Sequence, residues 1–328
     1  MPDIADETHA AEASPSKAQS VAARAFAVAG SAAEAEALTK QLAHEHYENF
    51  SVVTFLLPKH LRQDFCNIYA FCRTVDDLGD ETGGDTAASL EMLARFKGQT
   101  RECYAGRAQS VVFQALSGTI RRHDIPIEPF LDLIDAFEQD QRVTRYDTFD
   151  QLVDYCRRSA NPVGRLVLYM AGYRDEERQR LSDETCTGLQ LANFWQDVRR
   201  DLLDIDRIYL PRESMAKFGV AEESLAAQIR EGRCEPASRE LVKFEVERAT
   251  GFFDRGAKLL PMLDRSIRPQ ITLFGQGGRA ILKAIRRQGY DTITSRPKLS
   301  KWQKGRIMLR ALPGLIAGKL FPARGDAR

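Results

Sequence analysis

The sequence predicts an all-α fold, a single helical domain around a central cavity, and three observations support this. From about Leu38 onward, apolar residues recur at intervals of three and four, which is the period of an amphipathic helix. Alternating runs with hairpin signals such as Asn-Gly, which are typical of β-strands, are missing. Breakers such as Pro126, Pro162 and Pro211 divide the chain into segments of helix length.

The two ends of the chain differ in composition from the middle. Residues 1–38 are rich in Ala, Ser and acids with few large apolar side chains, so we predict that they are mostly disordered. Residues 39–305 should form the folded, catalytic domain. Residues 306–328 are a basic, partly apolar tail, and from Gln276 to Arg328 there are 13 Lys or Arg but two acids. The composition of this tail is consistent with two alternatives, peripheral attachment to an anionic membrane and a solvated helix face.

Composition also excludes several classes of protein. A net charge of +1 disfavours a globally basic nucleic-acid-binding protein. Six widely spaced cysteines form no C-x-x-C pair, which fits reduced thiols rather than disulfides or zinc. The acidic N-terminus lacks an apolar signal region, and no apolar run reaches the ~18 residues of a membrane span. We expect a cytoplasmic protein, with peripheral binding at the inner membrane face left open.

The first of two acidic segments spans residues 69–81. Its Tyr69, Arg73, Asp76 and Asp80 fall within about 60° of one another at ~100° per residue, so they form one polar stripe. Carboxylates spaced i, i+4 repel each other unless a cation bridges them, and Mg²⁺ prefers a few carboxylates with water and phosphate oxygens. The alternative for Arg73 is a simple i, i+4 ion pair with Asp77.

The second acidic segment repeats this pattern with Gln190, Asn193, Asp197 and Asp201. Two such helices facing each other would form a cage for Mg²⁺, in which a diphosphate becomes a good leaving group because the metal neutralises its developing charge. The alternative is that both stripes are solvated acidic faces. The near-matching spacing of the two segments, followed by Arg207 and Tyr209, favours the cage.

Four motifs resemble the squalene and phytoene synthases, and within that family most closely the bacterial hydroxysqualene synthases of hopanoid biosynthesis. The likeness runs from about Glu45 to Lys301. Besides the two acidic segments, it rests on residues 46–52, His-Tyr-Glu-Asn-Phe-Ser-Val, and on residues 155–164, Tyr-Cys-Arg-Arg-Ser-Ala-Asn-Pro-Val-Gly. The resemblance implies an isoprenoid synthase fold.

The resemblance also implies roles for individual residues. The implied Mg²⁺ ligands are Asp76, Asp80, Asn193, Asp197 and Asp201, with Asp77 as a weaker candidate. The implied substrate contacts are Tyr69, Arg73, Gln190, Arg207, Tyr209 and Phe50. Tyr155 matches the family tyrosine that faces the carbocation, where its ring can stabilise positive charge and its hydroxyl can handle a proton. Core packing is the alternative for Tyr155.

Two departures from the family pattern point to a particular reaction. Gln196 stands where the family often has arginine, so we interpret it as a lost phosphate-facing cation, which favours one pre-joined diphosphate over two substrates. Ser159 and Asn161 introduce polar groups into a wall that relatives keep apolar. We hypothesise that one of them, or Arg158, orients a water molecule. The alternative is that Pro162 bends the helix and Asn161 bonds the carbonyls it frees.

These patterns together predict the conversion of presqualene diphosphate and water to hydroxysqualene and diphosphate, with Mg²⁺ and without NADPH. The alternatives are a head-to-head condensing synthase and a non-catalytic isoprenoid-binding subunit. An upstream presqualene diphosphate synthase and a downstream reductase are the expected partners, and nucleic acid is not. The glycine-rich run at residues 275–278 follows no predicted strand, so we predict a helix break there rather than a dinucleotide loop.

Overall fold

The computed structural model describes residues 16–46, 57–80, 82, 84–300, 302–303 and 305–306. These residues form α-helices and contain no β-strand, which confirms the all-α prediction. The helices are α1 Lys17–Ala25, α2 Ala32–His46, α3 Arg62–Asp80, α4 Thr86–Tyr104, α5 Val111–His123, α6 Glu128–Asp140, α7 Phe149–Ser159, α8 Asn161–Met170, α9 Glu176–Ile205, α10 Arg212–Lys217, α11 Glu222–Glu231, α12 Pro236–Gly256 and α13 Arg268–Arg287. Two 3₁₀ turns, Lys59–Leu61 and Ala257–Met262, precede α3 and follow α12.

The long helix α9 lies at the centre of one half of the molecule. It spans 30 residues and packs against α8, α12 and α13. Asp175 caps its start by accepting a hydrogen bond from the backbone N–H of Arg178. Leu191 and Trp195 are fully buried on its apolar side, so the acidic stripe on the same helix faces elsewhere.

Helix α3 lies at the centre of the other half, where α2, α4, α5 and α6 surround it. Its Phe71 is fully buried and contacts Phe96 and Phe130, with ring centroids 5.3 and 4.8 Å apart. Edge-to-face and tilted aromatic packing of this kind fixes the rotation of a helix about its axis. The rotation of α3 turns Asp76 and Asp80 towards α9.

The chain changes direction between α7 and α8. Ala160 leaves helical geometry at φ −124°, ψ −46°, and Pro162 occupies the first turn of α8, where its missing N–H costs no hydrogen bond. Helix α8 then packs closely on α9, since a Cβ on Gly164 would lie 2.5 Å from the Sγ of Cys186. Pro162 therefore begins a new helix rather than bending one.

The expectation of disorder is wrong for the part of residues 1–38 that the structure describes. Ser16 and Gln19 form a capping box at the start of α1, and Val21 and Ala25 are buried in the aromatic cluster around Phe71. Small side chains allow a helix to approach its neighbours closely, so low hydrophobicity did not prevent packing. Residues 1–15 and 307–328, which include most of the basic tail, lie outside the described residues.

The predicted helix break at residues 275–278 is also wrong, because this run lies inside α13. A Cβ on Gly278 would lie 2.3 Å from the ring of Phe253 and 2.8 Å from Leu189. Glycine is required there by close helix packing. Among the described helices, none is both long and apolar enough to cross a membrane.

Candidate active site

A cavity of about 610 Å³ lies between α3, α6, α7 and α9. Both acidic stripes reach it, so the structure brings together residues more than 100 positions apart in the sequence. The side chains that line it are Arg73, Asp76, Asp80, Ala136, Phe137, Asp140, Tyr155, Ser159, Gln190, Asn193, Phe194, Asp197, Arg200, Asp201, Asp204, Ile205, Arg207, Tyr209 and Arg296.

On α3, Arg73 bridges two carboxylates. Its Nη1 lies 2.7 Å from Oδ2 of Asp76, and its Nη2 lies 2.5 Å from Oδ1 of Asp77. Asp77 is largely buried and does not line the cavity, whereas Asp76 and Asp80 do. The i, i+4 pair between Arg73 and Asp77 is therefore present, and Arg73 still lies at the cavity wall.

On α9, the carboxylates are more deeply buried. Asp197 is 4% exposed and pairs with Arg296, whose Nη2 donates to Oδ2 at 3.0 Å and whose Nε donates to Oδ1. Burial raises the pKa of Asp201 to about 7, and the negative charge of Asp197 adds to this shift. Six aspartates and four arginines line the cavity, so its acidic side chains outnumber its basic ones.

An aromatic wall closes the side of the cavity next to the carboxylates. The rings of Phe194 and Tyr209 are stacked with centroids 3.7 Å apart, and Tyr155 lies 6.2 Å from each of them. Tyr146 stacks on Tyr209 from behind at 6.0 Å. The negative faces of such rings stabilise a nearby cation without providing a nucleophile.

Tyr155, Asp140 and Arg207 form a hydrogen-bonded group at the edge of this wall. Tyr155 Oη donates to Oδ2 of Asp140 at 2.7 Å, and Arg207 Nη2 donates to the backbone oxygen of Asp140 at 2.7 Å. Burial raises the pKa of Asp140 to about 6, although Arg207 opposes the shift. Burial also raises the pKa of Tyr155 well above its usual value, so its phenol stays protonated.

Residues 43–303 match the family model described as squalene/phytoene synthase. The chain belongs to the squalene/phytoene synthase family. Phytoene synthase of Arthrospira platensis is 32% identical over 282 residues, covering 81% of this chain and 89% of that protein. The crystal structure of squalene synthase HpnC from Alicyclobacillus acidocaldarius is 46% identical, with a TM-score of 0.74, and covers 79% of this chain and 95% of that one.

A more distant likeness confirms the isoprenoid synthase fold. A dehydrosqualene synthase in complex with ligand has a TM-score of 0.77 at 23% identity, covering 87% of this chain and 98% of that chain. Tertiary structure is therefore retained where most side chains differ. The family of this chain acts on isoprenoid diphosphates, so the cavity is its candidate active site.

The structure places most of the predicted site residues at this cavity. Those that line it are Arg73, Asp76, Asp80, Tyr155, Ser159, Gln190, Asn193, Asp197, Asp201, Arg207 and Tyr209. Tyr69 is not among the lining residues and packs beside Ala43 and Cys66. Phe50 lies outside the described residues.

Asn161 does not face the cavity. It is 3% exposed, and its Oδ1 accepts a hydrogen bond from Thr187 Oγ1 on α9 at 3.0 Å. Arg158 also points elsewhere, with its Nη2 donating to Gln139 Oε1 and Asp154 Oδ2 at 2.6 and 3.0 Å. Of the three groups suggested for orienting water, Ser159 is the one at the cavity wall.

The interpretation of Gln196 as a lost phosphate-facing cation is wrong. The residue is 7% exposed and lies outside the cavity lining, and its side chain donates from Nε2 to the carbonyl of Pro297 at 2.6 Å. This bond holds the segment that carries Arg296 against α9, and Arg296 itself lines the cavity. The wall therefore gains a cation from the C-terminal side of the chain.

Sequence reasoning missed Asp140, Arg200 and Asp204. Asp204 lies three residues after Asp201, so extending the α9 stripe by about one turn would have found it. Asp140 lies at the end of α6 in no local motif, and only tertiary structure brings it to Tyr155.

The donor chemistry of the cavity fits Mg²⁺. Carboxylate and amide oxygens from α3 and α9 line one space, and they are the ligand types that Mg²⁺ prefers. Among the described residues, no three acidic, histidine or cysteine side chains converge closely enough to hold a metal ion by themselves. Mg²⁺ commonly completes its coordination with water and substrate phosphates, which suits carboxylates spread across a cavity.

Proposed function

We propose that this protein converts presqualene diphosphate and water to hydroxysqualene and diphosphate with the help of Mg²⁺. The observation that carries the proposal is the position of Ser159. It lies one helical turn after Tyr155 on α7 and lines the cavity, and its buried Oγ has no hydrogen-bond partner among the described residues. A buried hydroxyl without a partner is costly, and a water molecule would satisfy it.

Different residues of the cavity would bind the metal ion and the diphosphate. Asp76 and Asp80 on α3, with Asn193, Asp197 and Asp201 on α9, would hold Mg²⁺, which when bound neutralises charge on the departing diphosphate. Arg73, Arg207 and Arg296 line the same space and supply fixed positive charge for its oxygens.

The aromatic wall would contact the hydrocarbon part of the substrate. Tyr155, Phe194 and Tyr209 can stabilise the carbocation left after ionisation, because their ring faces carry partial negative charge. A water molecule held by Ser159 would then form the carbon–oxygen bond of the alcohol. No reductant takes part in this reaction, so it proceeds without NADPH.

A head-to-head condensing synthase is the second candidate. It is favoured by the phytoene synthase relatives and by Arg296, which supplies positive charge to the cavity that the neutral Gln196 does not. Such an enzyme would join two prenyl diphosphates to make presqualene diphosphate, squalene or phytoene. The hydroxyl of Ser159 in the wall of a carbocation cavity argues for water capture instead.

The first experiment supplies purified protein and Mg²⁺ with either presqualene diphosphate or farnesyl diphosphate, without NADPH, and identifies the lipids by mass spectrometry. We expect a C30 alcohol and released diphosphate from presqualene diphosphate alone. Presqualene diphosphate or a hydrocarbon from farnesyl diphosphate would establish the condensing synthase. Absence of diphosphate release from both substrates would favour a non-catalytic isoprenoid-binding subunit.

Substitutions of Ser159 and Asn161 test which residue orients the water. Ser159→Ala should lower the alcohol share of the products by about tenfold, the loss expected from ~1.4 kcal/mol of water positioning. Asn161→Ala is the matched comparison, because Asn161 bonds Thr187 outside the cavity. If the alcohol share fell in the Asn161 variant and stayed at the wild-type level in the Ser159 variant, the role would belong to Asn161.

A further inference from the structure

The end of α6 contributes a buried carboxylate that no motif predicted. Asp140 has a side chain that is 6% exposed and lines the cavity beside Tyr155. Its Oδ2 accepts the hydrogen bond from Tyr155, while its Oδ1 is buried without a hydrogen-bond partner among the described residues. A carboxylate that uses half of its accepting capacity can still take up a proton.

Two neighbours act directly on Asp140: Arg207 favours its charged form against the opposing effect of burial, and Tyr155 donates a hydrogen bond to its Oδ2. Arg207 Nη1 lies 3.6 Å from its Oδ2, and Tyr209, Tyr146 and the carboxylate of Asp80 are the other titratable groups that influence this site. Arginine cannot accept a proton at any physiological pH. Asp76 and Asp197 are each paired with an arginine.

Water capture of a carbocation produces a proton that must leave the cavity. We propose that Asp140 is the acceptor of this proton and acts through Tyr155, an inference that rests on the proposed function. The water oxygen forms the C–O bond and one of its O–H bonds breaks, with that proton passing to Tyr155 Oη. The phenol proton moves to Oδ2 of Asp140, which later releases it to solvent.

Asp140→Asn tests this role because asparagine still accepts the hydrogen bond from Tyr155 but cannot take up a proton. With presqualene diphosphate and Mg²⁺, diphosphate release should fall much less than alcohol formation, although Arg207 beside Asp140 also lines the cavity. Alcohol formation should fall by about 100-fold, within the range of general acid–base catalysis, and C30 hydrocarbons should replace it. Asp135→Asn, on the solvent side of the same helix where it pairs with Lys97, should leave the product ratio unchanged.

Tyr155→Phe breaks the same proton path at its other end and keeps the ring, so it should shift the products in the same direction. This variant decides the matter if Asp140→Asn does not fold. The proton path would be overturned if a folded Asp140→Asn or Tyr155→Phe protein kept the wild-type alcohol share. It would also be overturned if both variants lost alcohol formation and diphosphate release equally. Asp140 would then have a structural role. A wild-type protein that makes no alcohol would overturn the proposed function and this inference with it.

Discussion

The contacts of a single side chain can differ from those that its local motif predicts. Gln196 lies in the second acidic motif, yet it contacts a backbone carbonyl 101 residues later in the chain. Its neighbour Asp197 pairs with Arg296 from that same segment. Residues 296–297 are thus attached to α9 at two adjacent positions, and one of them delivers positive charge to the cavity.

Gln196→Glu should loosen this attachment. Glutamate lacks the N–H donor that Gln196 uses and places a carboxylate against the Pro297 carbonyl, so the unfolding free energy should fall by about 1–3 kcal/mol in urea titrations. Gln151→Glu is the matched control, because Gln151 uses its side-chain oxygen as an acceptor at the start of α7 and glutamate keeps that atom. Equal stability of both variants would contradict the role assigned to Gln196.

At the scale of helices, the sequence is informative wherever a pattern is local. The stripes on α3 and α9 follow from helical period alone, and the structure brings both to one cavity. The helix containing Gly275 was not predictable in this way, because glycine lowers intrinsic helix propensity and only the neighbouring Phe253 explains its use at Gly278.

Two neighbouring glycines of α13 should respond oppositely to alanine. Gly278→Ala should lower the unfolding free energy by about 1–3 kcal/mol, because the added Cβ would lie 2.3 Å from Phe253. Gly277→Ala adds a methyl group with nothing within 4 Å and should raise it by up to ~1 kcal/mol through helix propensity. Urea unfolding of both variants checks this. If Gly278→Ala were as stable as Gly277→Ala, close packing would not be the reason for glycine there.

For the whole molecule, the fold class and the two acidic motifs were predictable because they depend on period and composition. The position of Asp140 beside Tyr155 and of Arg296 beside Asp197 was not, since each pair is formed by tertiary packing of separate helices or segments. The order of residues 17–25 was likewise hidden, because burial of small side chains depends on what they pack against.

A buried polar network joins α3 and α5 far from the cavity. Asp64 is 1% exposed; Thr119 Oγ1 and Arg122 Nη2 donate to its Oδ1 at 2.8 and 2.6 Å, and His123 Nε2 lies 2.8 Å from its Oδ2. Burial alone would raise the pKa of Asp64, but these hydrogen bonds together hold it below its usual value. The folded state therefore binds this proton less readily than the unfolded chain.

This network should make stability depend on pH in a defined direction. Because the folded pKa of Asp64 is lowered, its contribution is present above the ordinary carboxyl pKa and is lost as the pH falls through the lowered value. Asp64→Asn should reduce the unfolding free energy at pH 7 by about 2–3 kcal/mol, less than for a fully buried pair because Arg122 is half exposed. The variant should also lose less stability than the wild type between neutral and acidic pH.

Urea titrations at several pH values measure both effects. Asp254→Asn removes the partner of Arg279 in an exposed surface pair and should change stability little at any pH. If Asp64→Asn and the wild type lost stability in parallel as the pH fell, the acid sensitivity of the fold would come from other carboxylates. If stability depended less steeply on pH in the Asp64 variant alone, the acid sensitivity would come from the contact between α3 and α5. This contact holds the first acidic helix in position.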